Sequence, residues 1–149
     1  GVYTSAIDSF TMASLGNAIK FGDCINESGQ QGTVSNSVRA VLHTGRQASG
    51  TGQISFITIA SEGNAIEFGS LDPSIHDVAN NSMFTQGCSN HTRAVWLNGN
   101  QDGNLFNGKG RTASIEIATG GRAVNFGDAS MKARRFASCS NAHGGLGGY

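Results

Sequence analysis

The chain has 149 residues, and its ten basic and ten acidic side chains give a formal net charge of zero. Charged residues make up only 13% of it, which argues against the clustered basic surface of a nucleic-acid or membrane-surface binder. Its apolar runs, such as residues 57–60, are far shorter than the roughly 20 residues that span a bilayer. We therefore expect one soluble domain over residues 1–149, with no nucleic-acid partner and no membrane insertion.

Glycine dominates the composition, with 22 residues against a single proline. Disordered glycine-rich chains lack periodic apolar residues, whereas apolar segments recur along this whole chain. Glycine therefore suits the tight turns between short strands, where a positive φ is needed. No segment carries a long apolar stripe at helical spacing. The composition predicts an all-β fold.

One block of sequence occurs three times without gaps, at residues 10–22, 57–69 and 115–127. Each occurrence ends in a Phe-Gly pair that follows a turn. We call this block one. A second block follows each time, at residues 35–41, 89–95 and, in degenerate form, 140–146. We call it block two. The blocks define three copies of a repeat, approximately residues 8–50, 54–108 and 112–149.

Copy two shows the elements most clearly. Alternating residues predict strands over 54–60 and 65–69, joined by a tight turn at Glu62–Asn64. A third strand is predicted to end near Cys88–Asn90, and a fourth to cover 93–97. The sequence thus predicts three tandem four-stranded antiparallel repeats, arranged as a small propeller or β-prism.

A single repeat cannot bury its apolar face alone. Either three sheets close as a three-fold prism within one chain, or two chains complete a six-bladed ring. We favour closure within the chain, and we also expect homo-oligomers.

The two blocks resemble a family of kelch-like repeat proteins of tailed-phage virions. The resemblance is carried by the pattern of residues 57–69 and by the Cys-Ser-Asn motif at 139–141, and it covers nearly the whole chain. It implies a non-enzymatic structural protein located in the virion, as a tail fibre, head fibre, knob or capsid decoration. It also implies other virion proteins as partners. Only three copies are present here, and copy three lacks the Arg and Val of block two.

Two arginines recur at one position of block two, Arg39 and Arg93. A repeated arginine could bind an acidic sugar or a carboxylate. The alternative is a structural arginine that bonds loop carbonyls or pairs with an acidic residue of the neighbouring copy. We favour the structural role and keep both arginines as candidates for ligand or partner binding.

Copy two has longer connections than the other copies, at residues 70–77 and 98–110. Loops on a rigid scaffold often carry binding residues. His76, Asn104 and Phe106 are therefore candidates in the alternative function, a lectin-like module for host surface glycans. Trp96 is predicted to lie in the core.

No catalytic, cofactor or metal site is predicted. No metal-ligand spacing or nucleophile motif occurs, and nothing singles out a carboxylate pair. Cys88 and Cys139 are equivalent to Val34, which predicts a small buried apolar position and free thiols. We expect the protein not to be an enzyme.

Overall fold

A computed structural model describes residues 3–29, 31–43, 52–72, 86–97, 110–130 and 137–139. All regular secondary structure in these ranges is β, so the predicted all-β class is confirmed. The strands are β1 (Thr4–Ser9), β2 (Ile19–Ser28), β3 (Gly32–Ser35), β4 (Arg39–His43), β5 (Gln53–Thr58), β6 (Ile66–Leu71), β7 (Gln86–Ser89), β8 (Arg93–Leu97), β9 (Gly110–Glu116) and β10 (Gly121–Ala129). No helix long and apolar enough to cross a bilayer occurs within these ranges.

The described strands form two sheets. Strands β1 and β2 pair as an antiparallel hairpin, and the other eight form one sheet in the order β3-β4-β5-β6-β10-β9-β8-β7. All neighbours in the large sheet are antiparallel except β6 and β10, which are parallel. The four strands predicted for copy two are confirmed to within about two residues at each end.

The large sheet is nearly closed and barrel-like, because its two edge strands, β3 and β7, lie side by side. Ser89 Oγ donates a hydrogen bond to Ser35 O at 2.9 Å and accepts one from Ser35 N at 3.3 Å. Asn36 Nδ2 donates to His91 O at 2.9 Å. These side-chain bonds satisfy groups that an open sheet edge would leave unpaired.

Each half of the large sheet combines blocks from two successive copies. Strand β4, from block two of copy one, pairs with β5, from block one of copy two, and Arg39 faces Thr58. Strands β8 and β9 repeat this pairing at the equivalent residues, with Arg93 facing Glu116. A four-stranded unit therefore crosses the boundary between predicted copies. Three separate four-stranded sheets are not found among the described strands.

The core lies between the walls of the large sheet. Trp96 is its largest fully buried side chain, with 1% of its surface exposed, and its predicted place in the core is confirmed. A Cβ added to Gly87 would overlap Val34 and the indole of Trp96, so strand β7 needs a glycine at this position. The core is made of Val34, Val41, Ile54, Leu71, Ala94, Trp96, Ala113, Ile115, Ile117 and Ala123.

The Ser-Asn pair of block two forms the turn that joins its two strands. Asn36 Oδ1 accepts hydrogen bonds from the amides of Val38 and Arg39 at 2.9 and 2.8 Å. Asn90 Oδ1 accepts from Thr92 N at 3.0 Å and from Arg93 N at 2.7 Å. A short amide side chain that bonds the backbone two and three residues ahead is the usual reason for Asn in such a turn.

Candidate functional site

Copies two and three approach each other through their main chains at a pair of glycines. Gly69 in β6 lies beside Gly121 at the start of β10, and the parallel pairing continues to Leu71 and Ala123. A Cβ added to Gly69 would overlap the carbonyl group of Gly121. Only glycine allows the two strands to approach this closely.

The same contact joins copies one and two. A Cβ added to Gly22 in β2 would overlap the carbonyl group of Gly63. Gly63 N donates a hydrogen bond to Phe21 O at 3.0 Å, and Ala65 N donates to Asp23 O at 2.8 Å. The hairpin β1–β2 is thus held against the start of β6 by main-chain hydrogen bonds.

These two contacts are one contact repeated along the chain, since Gly22 is equivalent to Gly69 and Gly63 to Gly121. We call it the docking step: the glycine of a Phe-Gly pair packs against the turn glycine of the next copy. Sequence reasoning placed Gly63 in a turn and Gly69 in a strand, but it missed the contact that such glycines make between copies. The available signal was a Phe-Gly glycine inside a strand in every copy, a position where glycine often marks close backbone approach.

Arg39 spans the sheet near this contact. Its Nη1 donates hydrogen bonds to Ile117 O at 3.0 Å and to Ala118 O at 2.7 Å. Its guanidinium carbon lies 4.7 Å from the ring centre of Phe56 and 5.8 Å from that of Phe68. Arg39 is on β4 and its acceptors follow β9, four places away in the sheet order. These contacts agree with the predicted structural role, in which the arginine bonds loop carbonyls and fixes copies against each other.

Arg93 has a different environment. Its Nε lies 3.0 Å from Glu116 Oε1, and both side chains are about half exposed. An ion pair of this kind contributes little because water and salt screen it. Arg93 thus contacts residue 116, and Arg39 contacts the next two residues, 117 and 118. The guanidinium of Arg93 stays accessible to solvent, whereas that of Arg39 lies against aromatic rings.

The other predicted binding residues, His76, Asn104 and Phe106, lie outside the described residues. The proposed role of the two copy-two loops in ligand binding therefore stays a prediction.

An open groove of about 490 Å³ lies between the copy-one hairpin and the turn of copy two. Phe10, 70% exposed, and Ile19 contribute apolar surface. Ser9, Thr11 and Glu62 add polar groups. A smaller groove of about 320 Å³ lies beside Arg93, at the equivalent place in copy three.

The cysteines are free thiols. Burial raises the pKa of the Cys24 thiol, the hydrogen bond with Gln31 opposes this, and the charge of Asp23 adds to it. Cys88 is partly buried, but Cys139 is exposed, so the predicted small buried position is wrong for copy three. Within the described ranges, no three His, Cys, Asp or Glu side chains lie together as a metal site would require.

No protein-family model and no curated protein matches this chain.

Proposed function

We propose that this chain is a non-enzymatic structural protein of a phage virion, displayed on the particle as a fibre, knob or capsid decoration. The docking step is the observation that carries the proposal. The motifs that resemble those of the kelch-like virion proteins include the Phe-Gly pair and the Gly-Asn-Ala turn, and these are the segments that dock on each other. The recurring sequence is thus used to join copies.

The other recurring residues support the same function. Asn36 and Asn90 accept backbone hydrogen bonds within their turns, and Arg39 bonds the carbonyls of copy three. A side chain engaged in this way stabilises the scaffold and is not free to act on a substrate. A rigid β-scaffold that docks by one surface and displays another suits a particle protein with other virion proteins as partners.

We further propose that the copies complete three four-stranded units of a small propeller or β-prism. The order of the eight-stranded sheet supports the proposal, because β3–β6 and β7–β10 each form a run of four antiparallel strands. The hairpin β1–β2 has the sequence of block one and the pairing of β5–β6 and β9–β10. It supplies half of a third unit.

Quantitative mass spectrometry of gradient-purified particles tests the virion location. The chain should co-sediment with the major capsid protein at a fixed copy number per particle, while an abundant host enzyme is removed. Absence of the chain from every particle fraction would contradict the proposal.

A lectin-like module for host surface glycans is the second candidate, and the groove at Phe10 supports it. An exposed aromatic ring beside hydroxyl and carboxylate groups suits a sugar, which offers both an apolar face and hydroxyls. A glycan array probed with Phe10→Ala tests this candidate. Binding should disappear in Phe10→Ala and persist in Val38→Ala, which shortens an exposed apolar side chain outside this groove. No binding by the unmodified chain would contradict the candidate.

A further inference from the structure

In the docking step, the Phe-Gly pair of one copy receives the turn of the next copy, and we call this pair the acceptor. Copy three carries an acceptor at Phe126 and Gly127, and no described residue occupies it. Gly127 is equivalent to Gly22 and Gly69. A Cβ added at either of those positions would overlap the turn of the next copy. A Cβ added to Gly127 would meet no described atom closer than Thr112 Oγ1, at 4.0 Å, outside its own chain neighbours.

The side chain beside this glycine shows the same difference. Phe21 and Phe68 precede the two glycines that take part in a docking step, and both are half-buried. Phe126, which precedes Gly127, is 56% exposed. An apolar ring that is partly covered in two copies is thus left in solvent in the third.

Copy one carries the other partner of the docking step, the turn, and this turn is also uncovered. Ala65 and Ala123 follow the docked turns and are 6% and 0% exposed. Their equivalent in copy one, Ala18, is exposed. Leu15, which precedes the turn glycine of that copy, is fully exposed.

Within one chain this turn and this acceptor do not meet. The copy-one turn is described, yet none of its atoms lies within 4 Å of a Cβ built at Gly127. Its hairpin is held instead against the start of β6 through Gly63 and Ala65. Because the described copy-one turn does not reach Gly127 of its own chain, it is available to the Gly127 surface of a second molecule.

We propose that the copy-one turn of one molecule, residues 15–18, docks on Phe126 and Gly127 of a second copy of this chain. The contact repeats the internal docking step. Gly120, equivalent to Leu15, lies against Phe68, so Leu15 would lie against Phe126. Glu62 occupies the equivalent position in the docked turn of copy two, so the step accommodates a side chain there.

Arg93 strengthens this interface. Arg39 of copy one bonds the carbonyls of Ile117 and Ala118 in copy three, two copies further along. The equivalent bonds of Arg93 would go to Met12 O and Ala13 O of the second molecule. The weak, exposed pair with Glu116 leaves the guanidinium able to exchange partners.

The turn and its acceptor are different surfaces, so the association is head-to-tail and forms a ring or a filament. This inference goes beyond the virion role and does not depend on it. A purified chain is enough to test it, and its failure would leave the particle experiment unaffected.

Sedimentation velocity over a range of concentrations tests the interface with two variants. Leu15→Asp blocks the turn, and Phe126→Asp blocks the acceptor. The unmodified chain should reach the mass of two or more chains, and each variant alone should remain at the mass of one chain. An equal mixture should form a two-chain complex, because each variant retains the half that the other lacks.

Val38→Asp is the matched control, since Val38 is also an exposed apolar residue, at 55%, but lies outside the docking step. It should associate like the unmodified chain. Circular dichroism should show the same fold in all variants, and Leu15→Ser with Phe126→Ser provides a milder second pair. A one-chain mass for the unmodified chain at every concentration would overturn the proposal. So would variants that still associate alone, or a mixture that stays monomeric.

Discussion

Arg39 and Arg93 occupy the same position of the repeat, and their surroundings give them different energetic roles. Arg39 donates two hydrogen bonds to carbonyls and lies over the ring of Phe56. Arg93 makes an exposed pair with Glu116. Hydrogen bonds from a charged group contribute more to stability than a solvent-screened ion pair.

We predict that Arg39→Ala lowers the free energy of unfolding by about 2–3 kcal/mol, and Arg93→Ala by less than about 1 kcal/mol. Arg39→Lys should be intermediate, because lysine keeps the charge but not the planar donor geometry. Urea unfolding, run at a concentration where the chain is monomeric, measures all three. Equal losses for Arg39→Ala and Arg93→Ala would contradict the structural role of Arg39.

Glycine at the docking step differs in its physical role from glycine in an exposed turn. Gly69 is required because another backbone occupies the space of its Cβ, whereas an added Cβ at Gly16 meets no described atom within 4 Å. Residue type alone does not separate these cases.

Gly69→Ala should therefore lower the free energy of unfolding by about 1–3 kcal/mol or more, because the two strands must separate to admit the methyl group. Gly16→Ala should leave it unchanged or raise it by up to about 1 kcal/mol, because alanine restricts the unfolded chain. Thermal unfolding of the two variants side by side measures the difference. Equal stability would mean that β6 and β10 do not approach as closely as described.

At the scale of the elements, the closure of the large sheet depends on side chains rather than on a ladder of backbone bonds. Ser89 Oγ bonds both the amide and the carbonyl of Ser35 across the gap between β3 and β7. Ser89 is only 7% exposed, so water replaces this hydroxyl poorly.

We predict that Ser89→Ala costs about 1–2 kcal/mol of stability and speeds hydrogen exchange at the Ser35 amide. Ser35→Ala is the control, because these bonds use the main chain of Ser35 and survive the substitution. Amide exchange followed by NMR reports on both variants. Unchanged exchange at residue 35 in Ser89→Ala would show that the two edges are held by other contacts.

Local features of the sequence predicted the strands well. Alternation placed β5, β6 and β8, and the predicted core position of Trp96 is confirmed. The grouping of strands was harder, because block two pairs with block one of the next copy, such as β4 with β5, and the order of motifs along a chain does not give the partner of each strand. The docking step was missed for the same reason, since it joins residues distant in sequence.

At the scale of the whole molecule, the structure is organised by a contact that each copy makes with the next. The hairpin β1–β2 is held on β6 by this step, and β10 is held on β6 by its second occurrence. The turn at Gly16 and the Phe-Gly pair at Gly127 stand at the two ends of this series of docking steps. Both are available to a second molecule.

Residue-resolved hydrogen exchange of the turn amides tests the docking step most directly. We predict slow exchange at Gly63 and Ala65, whose amides bond the preceding copy, and fast exchange at the equivalent Gly16 and Ala18 in dilute solution. At concentrations where the chain associates, the amides of Gly16 and Ala18 should become protected as well. Exchange at Gly63 and Ala65 as fast as at Gly16 and Ala18 in dilute solution would contradict the docking of one copy on the next.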